Sequence, residues 1–184
     1  MAEALGVPRE SQAAVGNELA VEDDPIETEI AAGHMLVDAG LAEQAIAHFR
    51  ALVAKLPRDP RAHFALATTL DGADREAEAI PVYAETIRLR PTGELLARAY
   101  LGLGSSLANV GRHPEALEVL SGGSRRFPEH APLRAFLALA SVRAGKPPAA
   151  LIELVEDLLA HHAMGPYGEA IRRQLSQLRR AARK

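Results

Sequence analysis

The apolar positions of the chain fall into one recurring arrangement: an alanine, a bulky residue four positions on and a proline twelve positions on. It reads Ala45, Phe49 and Pro57, then Ala79, Tyr83 and Pro91, then Ala116, Leu120 and Pro128, and a fourth time Ala150 and Leu154 without the proline. The alanines stand 34, 37 and 34 residues apart. Residues four apart share one face of a helix, and a proline disfavours helix in the residue before it. A fixed period in this range marks stacked supersecondary units, each burying its apolar face on the next, in place of a single globular core.

The pattern predicts four units of two helices each, at about 26–59, 60–93, 97–130 and 131–163. In the first, Ile26, Ile30, Met35 and Leu36 predict a helix ending at Ala39-Gly40, where glycine can take the left-handed conformation that closes a helix. A second helix is expected from Ala42 to Leu56. In the second unit, helices over Ala62 to Leu70 and Glu76 to Leu89 flank a turn at 71–74. Asp74 is expected as the N-cap there, and Pro81 to shorten or bend the start of the following helix. In the third, Leu95, Tyr100, Leu103, Gly104 and Leu107 fall on one face, and the next helix, Glu115 to about Phe127, carries Ser121-Gly122-Gly123-Ser124. Each glycine costs roughly 1 kcal/mol against alanine inside a helix. The pair therefore implies either a close approach by a neighbouring helix or a soft point. The fourth unit runs Leu133 to Ala144, turns at Gly145-Lys146-Pro147-Pro148 and continues from Ala149 to about His161. Residues 166–184 predict a basic capping helix and tail, with Ile171, Leu175 and Leu178 as its apolar stripe. Residues 1–25, acidic and without a sustained helical period, read as a flexible arm or a loosely docked first helix.

Two sets of positions, Tyr100-Leu103-Gly104-Leu107-Ala116-Leu120-Pro128 and Leu66-Ala67-Leu70-Ala79-Tyr83-Pro91, resemble the tetratricopeptide repeat. The resemblance covers roughly residues 26–162. The runs LGLGSSLANVGRHPEALEVL and FPEHAPLRAFLALASVRAGKPPAAL are similar to the bacterial group-5 tetratricopeptide family. It departs at Glu29, where an aromatic is expected, and in the fourth unit, which lacks the closing proline. The resemblance implies an all-α, right-handed α-solenoid of about four helix pairs with a C-terminal capping helix. It also implies a protein-interaction module, with a homodimer left open. In this family the first helices of the pairs line the concave face. Carrying those positions over gives Ile30, His34, Val37, Asp38, Arg61, Phe64, Thr68, Asp71, Arg98, Leu101, Ser105, Asn109, Ala135, Leu139, Val142 and Arg143 on the inner face, with His34, Arg61, Phe64, Thr68, Arg98, Leu101, Ser105, Asn109, Leu139 and Arg143 as a partner-binding groove; the alternative is that several of them pack on the C-terminal helix or the N-terminal arm. Such a wall suits a helical or extended segment with apolar anchors and some acidic residues, because arginine pairs bidentately with carboxylates. The lysine and asparagine arrangement that clamps a C-terminal carboxylate in chaperone-cochaperone repeats has no counterpart, since Asn109 stands without matching lysines.

Composition narrows the chemistry. The chain has no cysteine, which excludes disulfides, thiolate zinc sites and thiol nucleophiles and agrees with a reducing compartment. No apolar segment is long enough to span a bilayer and none resembles a signal peptide, so a cytoplasmic protein is expected. Lysine occurs only at Lys55, Lys146 and Lys184, which points to a GC-rich bacterial genome. Seven histidines are present without an HExxH pattern, and Ala144-Gly145-Lys146 lacks the upstream glycine and the following Ser or Thr of a phosphate loop. No metal, cofactor or catalytic constellation is readable, and no enzyme is expected. The net charge of -3 conceals opposite ends: through residue 29 Arg9 is the lone base among many acids, whereas the last helix carries Arg172, Arg173, Arg179 and Arg180. That asymmetry supports a self-assembling, dimeric factor as the alternative to a scaffold. Binding of RNA or an anionic membrane by the basic tail ranks below both, because aromatics make up only 4% and none interleave with those arginines.

Overall fold

A computed structural model describes residues 24–181, which form nine α-helices and a short 3-10 turn, with no strand among them. The helices are α1 (Pro25–Asp38), α2 (Ala42–Lys55), α3 (Pro60–Gly72), α4 (Glu76–Arg88), α5 (Gly93–Asn109), α6 (His113–Arg126), α7 (Ala131–Arg143), α8 (Pro148–His161) and α9 (Gly168–Ala181), the turn spanning Gly165–Tyr167. Nearly all of the expected acidic arm, and the last residues of the basic tail, lie outside the described residues. Each helix packs on its chain neighbour, and α1, α3, α5, α7 and α9 also touch in succession, so four antiparallel pairs stack into a solenoid closed by α9.

The starts of these helices follow from local chemistry. Asp24 and Asp59 each precede a proline and cap their helices, the carboxylates accepting from the backbone N–H of Ile26 (3.1 Å) and Arg61 (2.9 Å). His130 does the same for α7, its Nδ1 accepting from the Leu133 N–H at 3.2 Å. The turn inside each pair places one residue in the left-handed region: Gly40, Asp74, Gly111 and Gly145. Asp74 is thus the turn residue of its unit, with φ of 56°, and the N-cap of α4 is Arg75, which makes no side-chain cap bond. Aspartate tolerates this conformation better than most residues, which is how it stands in for glycine. Pro81 lies inside a continuous α4 with its ring toward solvent.

The repeated pairs are the core. Ala45, Ala79 and Ala116 are 0% exposed, and Phe49, Tyr83 and Leu120 are buried beside them. A Cβ added at Gly104 would overlap the Leu120 side chain, so glycine is needed where α5 and α6 cross. Of the two glycines inside α6, Gly123 is the close approach: a Cβ there would lie 2.8 Å from the Tyr100 Cβ and 3.2 Å from a Leu133 methyl. Gly122 meets nothing nearer than 3.9 Å.

The fourth unit departs from the expected register. In the first three units the second helix begins two residues after the left-handed turn residue, whereas α8 begins at Pro148, three after Gly145. One extra residue rotates a helix by about 100°. Ala150 therefore faces solvent and Leu154 is half-buried, while Val155 (1% exposed) and Leu158 (0%) fill the core. The fourth counterpart of the alanine and bulky pair is Leu151 and Val155. The capping helix buries Ile171 and Leu175 in the C-terminal core cluster and turns its arginines outward.

Candidate partner-binding groove

The inner helices bring five of the ten expected groove residues into one pocket. His34 from α1, Arg61, Phe64 and Thr68 from α3 and Arg98 from α5 line a concavity of about 240 Å³, with Ile30 adding apolar wall. Phe64 forms its base, nearly buried and edge-on to Tyr83 with ring centroids 6.1 Å apart. The Arg98 guanidinium lies over the Phe64 ring, 4.9 Å from its centroid, and its Nε donates to the Tyr167 hydroxyl at 3.1 Å. That stacking holds a cation against an apolar floor without neutralising it. Arg98 has no carboxylate partner among the described residues.

Arg61 differs. It donates to Asp24 (2.5 Å), Glu27 (2.9 Å) and Asp59 (2.8 Å), so three carboxylates already surround it. These hydrogen bonds raise the guanidinium pKa further and hold Asp24 and Asp59 below the usual carboxylate range. Arg61 is spent on fastening the start of α1 to α3. Thr68 is likewise satisfied internally, its hydroxyl donating to the carbonyls of Phe64 (3.1 Å) and Ala65 (3.0 Å). His34 is exposed and its ring meets Phe49 edge-on at 5.7 Å.

The other five expected residues lie elsewhere along the wall. Leu101 and Leu139 are each 2% exposed and belong to the core cluster that contains Ile171 and Leu175 of the cap. They are floor beneath the capping region, not open surface. Ser105 and Arg143 are half-buried, Arg143 without an ion-pair partner among the described residues, and Asn109 is exposed, donating to Glu76 at 3.4 Å.

Two contacts had no signal in the repeat pattern. Tyr167, in the short turn before α9, reaches back to Arg98 and packs edge-on against Phe136 (6.4 Å), so the cap meets the groove two pairs upstream. Asp71 is half-buried between α3 and α5 and accepts from the Ser106 hydroxyl at 2.7 Å. Burial first, with the nearby Glu76 and Asp74 adding to it, pushes its carboxyl above the ordinary range. On the other side of α7 lies a second concavity of about 550 Å³, lined by Leu117, Leu137, Leu151, Leu154, Arg134 and Lys146 among others. Among the described residues no cluster of histidines and carboxylates could hold a metal ion, and no helix is long and apolar enough to cross a membrane.

A family model described as Tetratrico peptide repeat matches residues 60–178. No curated protein matches the chain. Among solved structures, MamA 41-end from Desulfovibrio magneticus RS-1 is 17% identical with a TM-score of 0.63, over 87% of this chain and 96% of that one. PilF of Pseudomonas aeruginosa is 23% identical with a TM-score of 0.64, over 85% and 68%. A chain of the APC/C hetero-tetramer Cut9-Hcn1 is 18% identical with a TM-score of 0.69, over 85% of this chain and 30% of that one. At these identities the likeness is one of fold.

Proposed function

Because the chain belongs to the tetratricopeptide-repeat family, we propose that it is a non-catalytic interaction scaffold whose concave wall, between α1, α3 and α5, holds a partner polypeptide. The observation that carries this reading is the pocket at Phe64. It joins an apolar base, the aliphatic wall of Ile30 and a guanidinium held in place without an acidic partner among the described residues. A segment presenting one apolar side chain with a carboxylate beside it satisfies all three, because the charge pairs with Arg98 while the apolar group covers Phe64. The body of the scaffold is 26–162, with α9 and the tail as its cap. The cysteine-free, lysine-poor composition suits the cytoplasm of a bacterium.

The test is a crosslinking pull-down from the native host with the full chain, followed by titration of the recovered partner. Arg98→Glu and Ile30→Asp are expected to weaken binding tenfold or more, about 1.4 kcal/mol. Arg143→Glu, further along the wall, is expected to weaken it less. Equal affinity of Arg98→Glu and the unsubstituted protein for the same partner overturns the assignment of the groove.

A further inference from the structure

Two apolar features of the described residues stand outside the concave groove, at opposite ends of the solenoid. The first is the 550 Å³ concavity between α6 and α8, floored by α7. Its leucines at 117, 137, 151 and 154 are all half-buried and still meet water. Two departures of the fourth unit open it. Arg134 stands eleven residues before the left-handed turn residue, where the third unit has Tyr100, whose Cβ and ring pack against Gly123 of the paired helix. The extra residue at Pro147-Pro148 turns α8 so that Leu151 and Leu154 line the opening. Arg134, Lys146 and the exposed Glu118 border it, two cations to one carboxylate, and neither cation has an ion-pair partner among the described residues.

The second feature is the outer face of α1. Met35 is 72% exposed, the most exposed large apolar side chain among the described residues, and it continues a stripe of exposed Ala31, Ala32 and Ala39. Asp38, one turn on, is exposed and also lacks an ion-pair partner among the described residues. The outward face of α9 does not match this stripe, since it presents Arg172, Arg173, Arg179 and Arg180. Continuing the stack by laying α1 of one copy on α9 of another would place methionine against guanidinium. The α6–α8 concavity offers what α1 lacks: an apolar recess large enough for a side chain of this size, with cations at its border to meet a carboxylate.

We propose that α1 of one copy seats Met35 in the α6–α8 concavity of a second copy, with Asp38 facing Arg134 and Lys146. The two patches are different surfaces of the same chain, so the contact is heterologous. Repeating it extends head-to-tail chains unless the rotation closes a ring or a reciprocal antiparallel pair. One anchored side chain makes a small interface, so assembly rises with concentration, and its exposed ion pairs make it weaken with salt.

Sedimentation velocity on the full chain tests this across a hundredfold range of concentration. The expected result is a weight-average mass that climbs with concentration and falls when salt is raised. Met35→Asp, at an exposed site, and the double reversal Arg134→Glu with Lys146→Glu are each expected to stay monomeric with unchanged helical circular dichroism. Mixed in equal amounts they are expected to form a one-to-one dimer that grows no further, because each supplies the surface the other has lost. A monomer at every concentration, as when the chain's own N-terminal segment covers α1, overturns the proposal. So does a discrete dimer that neither variant disturbs, or a mixture of the two variants that stays monomeric.

Discussion

Asp71 and Asp59 stand at the two ends of α3 and respond to pH with opposite sign. The folded pKa of Asp71 is raised, chiefly by burial, so its ionised form costs stability at neutral pH and that cost fades as pH falls through the folded value. Asp71→Asn keeps an acceptor for the Ser106 hydroxyl without the buried charge, and is expected to raise the melting temperature at pH 7. A lower one would mean the charge is compensated. Asp24 and Asp59 are held down by hydrogen bonds from Arg61, so what they contribute is present above the ordinary carboxylate pKa and is lost as pH falls through their folded values. Thermal melts below about pH 4 should therefore show a loss of stability that Arg61→Leu largely abolishes. Gly104 is a steric matter: Gly104→Ala places a methyl against Leu120 and is expected to cost about 1–3 kcal/mol in chemical denaturation, whereas Gly122→Ala, inside α6 with room around it, is expected to stabilise.

At the scale of the element, α8 separates what repeats from what merely looks repeated. Val155→Asp buries a charge in the C-terminal core and is expected to unfold that half of the solenoid, while Ala150→Lys leaves the melting temperature within about a degree. Comparable damage from both would contradict the shifted register. The first three units were legible because their turns have equal length, so the spacing from Ala to bulky residue tracks the buried face. In the fourth, Ala150 and Leu154 keep the spacing while Pro147-Pro148 adds a residue to the turn, and only the three-dimensional path reveals the rotation. Asp74 misled in a related way. Its type suits an N-cap, but the turn needed a left-handed residue there, and the position of Gly40 and Gly111 in their own units was the available signal. The glycine pair of α6 resolved as one close approach at Gly123 and one unconstrained position at Gly122.

Over the whole molecule, periodicity carried the architecture, since each pair buries its apolar face only by stacking, whereas the groove depended on contacts between distant segments. That Phe64 and Arg98 share a pocket followed from both being early first-helix positions. That Arg61 is consumed by Asp24 and Glu27, and that the cap lies over the region of Leu101 and Leu139, had no local signature, because the partners lie more than thirty residues away. Truncation after Met164 removes α9 and uncovers that floor. The C-terminal half is then expected to melt ahead of the N-terminal half, giving two transitions where the full chain shows more nearly one. Hydrogen–deuterium exchange on the full chain with and without its recovered partner locates the bound segment on the solenoid. Protection is expected to concentrate in α1, α3 and the first half of α5, around Ile30, Phe64 and Arg98. Protection confined to the outer helices α2, α4 and α6, with those three unchanged, would contradict the proposed groove.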